Sequence, residues 1–225
     1  DADTLGDRAV AVGVGALGSQ NFTSSTDNYN IGIGYNAGVS VTTGFQNTLI
    51  GGLAGDALTD SDRNVAIGHE ALTSDTKGQY NVAVGYFSLA NQNFTSATNS
   101  YNTAMGYSAG GSITTGTQNV LIGALAGDAL TDSDSNVAIG FAALSADTLG
   151  KRSVAVGDGA LQTQNFTSAT STYNTAIGYS AGQQVSTGVN NTLIGGFAGD
   201  ALTDADQNVA IGAGALTNDT LGSKS

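Results

Sequence analysis

Cysteine and proline are both absent from this sequence, histidine and glutamate occur once each, and only six residues are basic. Each absence removes a class of function. Without cysteine no disulfide forms, and with a single histidine, His69, beside the single glutamate, Glu70, neither a catalytic triad nor a histidine-rich metal centre can be assembled. No enzyme is expected. Six basic residues against eighteen acidic ones give a net charge of -12, which argues against a nucleic-acid backbone or an anionic membrane as partner and favours cations. No apolar run approaches the roughly 20 residues of a membrane-spanning helix, and no basic-then-apolar leader pattern is found. The expectation is a soluble chain or part of a larger soluble assembly.

Glycine is abundant, at 33 residues, yet no three-residue period accompanies it and the missing proline rules out a collagen helix. Charged residues make up 11% and hydrophobic residues 40%, the latter alternating with small polar residues, unlike the charge-rich composition of disordered chains. The glycines therefore serve turns in a folded chain.

The segment NVAIGHEALT at 64–73 returns as NVAIGFAALS at 136–145 and as NVAIGAGALT at 208–217. Such a constant shift, 72 residues, marks a repeat array. Gly6, Gly78, Gly150 and Gly222 close successive copies, dividing a single array over 1–225 into 7–78, 79–150 and 151–222. The opening DADTLG at 1–6 matches SADTLG at 145–150 and reads as the end of a preceding repeat. Each copy divides again, because a strand-like pentapeptide ends at Gly13, Gly34, Gly51, Gly68 and Gly85, at spacings of 21, 17, 17 and 17 residues. Twelve coils result.

Within NVAIG, Val65 and Ile67 alternate with Asn64 and Ala66, the two-residue period of a strand. Frequent glycine and β-branched residues oppose a helix. After the glycine comes x-x-Ala and then Leu or Gly (Ala16-Leu17, Ala37-Gly38, Ala54-Gly55, Ala71-Leu72, with Ser88 in place of alanine), which predicts a second short strand or bend. TTG, TDSD and SDTKG supply the return turn. The longer coil carries QNFTSST at 20–26, echoed by QNFTSAT at 92–98 and 164–170; it is expected to bulge as a loop pinned by Phe22, Phe94 and Phe166. The fold class is thus all-β, a parallel β-solenoid or β-roll. With strands about 4.8 Å apart its rungs would span roughly 58 Å.

Stacking in register aligns Asn30, Asn47, Asn64, Asn81, Asn102, Asn119, Asn136, Asn174, Asn191 and Asn208, four residues before the glycine in most coils, into a structural amide ladder. Residues two before each glycine are Ala, Gly or Leu, so both strand faces carry small or apolar groups, which favours lateral association.

Other motifs have plainer readings beside them. Gly13, Gly15 and Gly18 in VAVGVGALG match a dinucleotide fingerprint in form, but SQNFTSST comes next instead of a helix. Three acidic sets recur: Asp56, Asp60, Asp62; Asp128, Asp132, Asp134; and Asp200, Asp204, Asp206. Oxygen ligands at alternate positions suit calcium, whereas the plainer reading is solvated turns. Tyr29, Tyr35, Tyr101, Tyr107, Tyr173 and Tyr179 flank the strand after each long loop, either covering neighbouring coils or offering rings to sugars. NFT at 21–23, 93–95 and 165–167 fits a glycosylation sequon.

NVAIG with its x-x-Ala continuation resembles the head repeats of trimeric autotransporter adhesins. The longer pattern NTAIGYSAGQQVSTGVNNTLIGGFAGDAL at 174–202 looks like the trimeric β-roll repeat shafts of tailed-phage fibre proteins. That resemblance implies a homotrimer, a location in a virion tail fibre or otherwise at a cell surface, and a host glycan or protein receptor near by. It implies no cofactor, calcium apart. The resulting expectation is a structural shaft that spaces and presents a receptor-binding tip. Two alternatives stand beside it: an adhesin head that binds a host surface directly, and a single-chain solenoid that polymerises end to end.

Overall fold

The computed structural model describes residues 5–224. The N-terminal stretch read as the tail of a preceding repeat therefore lies, at 1–4, outside the described residues. Among the described residues the chain is all-β, without helix. Two compact units, 1–115 and 116–225, each stack six coils as a parallel β-solenoid, so the unit boundary falls inside the second 72-residue repeat. Within a repeat we name the coils a, of 21 residues, and b, c and d, of 17 each; in the second repeat they are 79–99, 100–116, 117–133 and 134–150.

Each coil contributes one three-residue strand. In the first unit these are Val10–Val12, Ile31–Ile33, Thr48–Ile50, Val65–Ile67, Val82–Val84 and Thr103–Met105. Val120–Ile122, Val137–Ile139, Val154–Val156, Thr175–Ile177, Thr192–Ile194 and Val209–Ile211 form the second. Neighbours pair in parallel with like over like, as in Val65↔Val82, Ala66↔Ala83 and Ile67↔Val84. Three further pairs of two-residue strands, such as Gly78–Gln79 with Thr98–Asn99, brace the two ends of coil a. Its loop is anchored by Phe22, Phe94 and Phe166, all buried.

Of the second short strand or bend expected after each glycine, the bend is what forms among the described residues. That stretch is a turn in which left-handed residues recur: in coil d of the first repeat, Gly68 has φ 137°, Glu70 55° and Leu72 56°. Such alternation turns the chain inward and ends the strand, while alternate N–H groups still donate to neighbouring coils, Leu72 to Ser88 and Glu70 to Gly52, each at 3.0 Å. Glycine is required at the first of these positions, because a Cβ on Gly68 would lie 2.5 Å from the carbonyl oxygen of Gly85 in the next coil.

Inward space is filled in two ways. Where the third left-handed position is Leu, as at Leu17, Leu72, Leu89, Leu144 and Leu161, the residue three further on is polar: Gln20, Asp75, Gln92, Asp147 and Gln164. Where that position is Gly, the partner is apolar: Val41, Leu58, Ile113, Leu130, Val185 and Leu202, each with no exposed surface. A side chain at Gly55 would meet both Leu49 and Leu58 at 2.8 Å, so a coil that already buries these two leucines has no room for a third side chain there.

Candidate interaction face

Each strand sends its middle residue inward and its first and third outward. The inward residues are small or leucine, such as Leu49, Ala66 and Ala83, and are fully buried. Outward positions carry Val, Ile, Thr or Met, and in mid-stack coils the third remains open: Ile67 is 36% exposed, Met105 43% and Ile177 39%. This inverts the ordinary strand of a half-solvated sheet, whose larger apolar groups point to the core. Parallel in-register pairing then lines these groups into two columns along each unit, the third-position one continuously apolar and the first-position one Val or Ile interrupted by Thr48, Thr103, Thr175 and Thr192. Monomeric proteins seldom leave a patch of that extent bare.

Large side chains border the columns. Just before the ladder asparagine, Tyr29, Gln46, Arg63, Tyr80 and Tyr101 all adopt positive φ. Arg63 lies 4.7 Å from the Phe45 ring centre and 5.2 Å from that of Tyr80; its Nη1 donates to the Tyr80 hydroxyl at 3.0 Å and its Nε to Gln46 Oε1 at 3.1 Å. Just after the glycine, His69, Tyr86 and Tyr107 stack at 5.7 Å between successive centroids. Tyr80 and Tyr101 stack at 5.2 Å along the first border. Tyr35, Tyr173 and Tyr179 are exposed on the same two borders.

Behind the sheet, the ladder asparagines are buried. Their bonds run chiefly to backbone. Oδ1 of Asn30, Asn47, Asn64 and Asn81 accepts from the backbone N–H of Asn47, Asn64, Asn81 and Asn102 at 2.9–3.2 Å. The N–H groups of Asn136, Asn191 and Asn208 donate in the same way to Oδ1 of Asn119, Asn174 and Asn191 at 2.9–3.0 Å. Nδ2 donates to a carbonyl that closes the coil, for example Asn64 to Gly78 at 2.9 Å. Amide-to-amide bonds such as Asn81 Nδ2 to Asn64 Oδ1, at 3.1 Å, are secondary.

The recurrent aspartates are spread along the return edge. Asp62, Asp134 and Asp206 each accept a backbone N–H one coil earlier, from Phe45, Thr117 and Val189, at 2.7–3.1 Å. Asp56 and Asp200 accept from Thr73 and Thr217. Asp60 faces Thr59 and Lys77, Asp204 accepts from Ser186 and Thr187, and Asp132 is exposed. Asp128 keeps its buried Oδ1 without a hydrogen-bond partner. Among the described residues no three histidine, aspartate or glutamate side chains converge as metal ligands, because each carboxylate is turned toward a different donor. Burial pushes Asp62 and Asp128 up. Burial acts the same way on Asp134, but its bonds from Lys151 and Thr117 prevail and hold it below the ordinary carboxylate range.

A buried polar chain has no counterpart among the sequence expectations. Asp75 Oδ1 accepts from the N–H of Gly78 at 3.0 Å and Phe94 at 3.1 Å, while Gln92 Nε2 donates to its Oδ2 at 2.6 Å. Gln92 Oε1 in turn accepts from Asn102 Nδ2 at 2.8 Å. Asp147, Gln164 and Asn174 repeat the arrangement at 2.6 and 2.8 Å. Burial pushes both aspartates up despite these donors. The signal is present in the sequence as the correlated Leu-x-x-Asp/Gln and Gly-x-x-Val/Leu/Ile pairs.

No protein-family model, curated protein or solved structure matches the chain.

Proposed function

We propose that this chain is a shaft segment of an extracellular or virion fibre, in which stacked coils set length and stiffness and like copies, three around an axis, cover one another's outward sheet faces. The observation that carries the reading is the pair of outward columns, the third-position one apolar at every coil, backed by the hydrogen-bonded asparagine ladder. Association of identical chains in parallel would set Val and Ile columns against their equivalents at every coil, so one coil's solution serves all. Shaft-like function also agrees with the resemblance of the NVAIG coils to phage-fibre and adhesin repeats. Sedimentation equilibrium tests the assembly: a mass three times 22.3 kDa supports it, and a stable species of 22.3 kDa overturns it.

The exposed tyrosines favour a second reading, direct recognition of a host glycan along the flank. Rings open at one edge, such as Tyr35, would stack on sugar C–H faces. A glycan array separates the two, since a spacer binds none and a flank-binding adhesin loses binding with Tyr35→Ala.

A further inference from the structure

The polar and apolar ways of filling the interior are not interchangeable along the stack. Coils b and c place Val41 and Leu58, or Ile113 and Leu130, at the inward position, whereas coil d places Asp75 or Asp147 there and the next coil a places Gln92 or Gln164. Gln20, in coil a of the first repeat, likewise accepts from Asn30 Nδ2 at 2.9 Å. Asp75 thus connects coil d to coil a, and Gln92 connects coil a to coil b, with all three side chains free of solvent.

We propose that the Asp75–Gln92–Asn102 chain, with its counterpart Asp147–Gln164–Asn174, is a stacking-order lock that ties coil d to the coil a that follows it, so that this pair, not the single coil, is the unit that can be removed or added. Backbone ladders alone cannot enforce this order, because every coil offers a like three-residue strand and coils b, c and d all offer the same asparagine. If coil d met coil b directly, Asp75 would face Ile113 and a buried carboxylate would lose its donor. Were coil c to meet coil a, Gln92 and the Phe94 N–H would face Leu58. Each mismatch leaves polar groups buried and unpaired, the costliest arrangement for an interior. Coil c against coil b, by contrast, would set Leu58 against Ile113 and leave no carboxylate or glutamine facing an apolar group, with Asn102 Nδ2 alone giving up its Gln92 acceptor. The lock is independent of how copies of the chain associate.

Deletions within the full chain test it. Removing coil a alone (79–99) or coil d alone (62–78) creates the two mismatched junctions, and removing both (62–99) creates the apolar one. The larger deletion is expected to melt on the order of 10 °C above either smaller one. In the chain lacking 79–99, the pair Gly110→Leu and Ile113→Gln converts coil b to the glutamine type; it is expected to raise the midpoint by giving Asp75 a donor. A chain that folds only with this pair supports the lock equally. Midpoints that fall in order of the number of residues removed, or a glutamine pair that gives no gain, overturn it.

Discussion

Single residues in this fold act through the coil above or below them. Asn64 accepts the N–H of Asn81 and donates to Gly78, so Asn64→Ala strands a buried donor and a buried acceptor; urea titration should show a loss of about 3 kcal/mol. Leu58, fully buried, fills its coil beside Gly55 together with Leu49, and Leu58→Ala should cost about 2–5 kcal/mol by leaving a cavity. Gly68→Ala combines a strained φ of 137° with a 2.5 Å approach to backbone, and a loss on the order of 3 kcal/mol is expected. The buried aspartates set a pH dependence. Because burial raises the folded pKa of Asp75 above the ordinary 3.8, its contribution is fully present below that value and is lost as pH rises through the folded pKa. Wild-type stability, measured relative to Asp75→Asn, should therefore increase on acidification from pH 7 to 3; a decrease would contradict the burial effect. Asp134, held low by Lys151, has the opposite sign and loses stabilisation as pH falls, so only the difference between variants isolates Asp75.

The coil is the most legible element. Periodic glycine, the Val/Ile alternation and the recurrent asparagine are enough to place a strand in every coil, because a two-residue period and a fixed spacing are local signals. The turn after the glycine is less legible. Leu72 and Glu70 hold left-handed conformations that leucine and glutamate disfavour on their own, and only stacking on the adjacent coil imposes them. Asp75 and Asp56 illustrate the same limit. Both sit in Ser/Thr/Asp-rich returns, and spacing singles out Asp56, Asp60 and Asp62 as ligands, whereas Asp75 passes as a turn residue. Which aspartate turns inward depends on whether the residue three before it is leucine or glycine, a correlation visible only when coils are compared with one another. The outward columns are half visible: alternation marks both faces as dry, but not that the larger β-branched groups face away from the interior.

At the scale of the molecule, the columns give association and folding separate levers. Ile67→Asp places a charge on the outward face while leaving Ala66 and Asn64 in the interior, so it should weaken assembly, read as a lower sedimentation mass, with little change in the β-sheet circular dichroism spectrum. A parallel loss of sheet signal would show that the face also supports the single chain. The chain's one methionine offers the most direct probe, since Met105 lies on this face with 43% of its surface open in the isolated chain. Oxidation by dilute peroxide, followed as a single sulfoxide mass shift, reports whether that face is covered. Copies packed face to face should slow Met105 oxidation at least about tenfold relative to the urea-unfolded chain, whereas oxidation near the unfolded rate in the assembled protein would contradict a covered face.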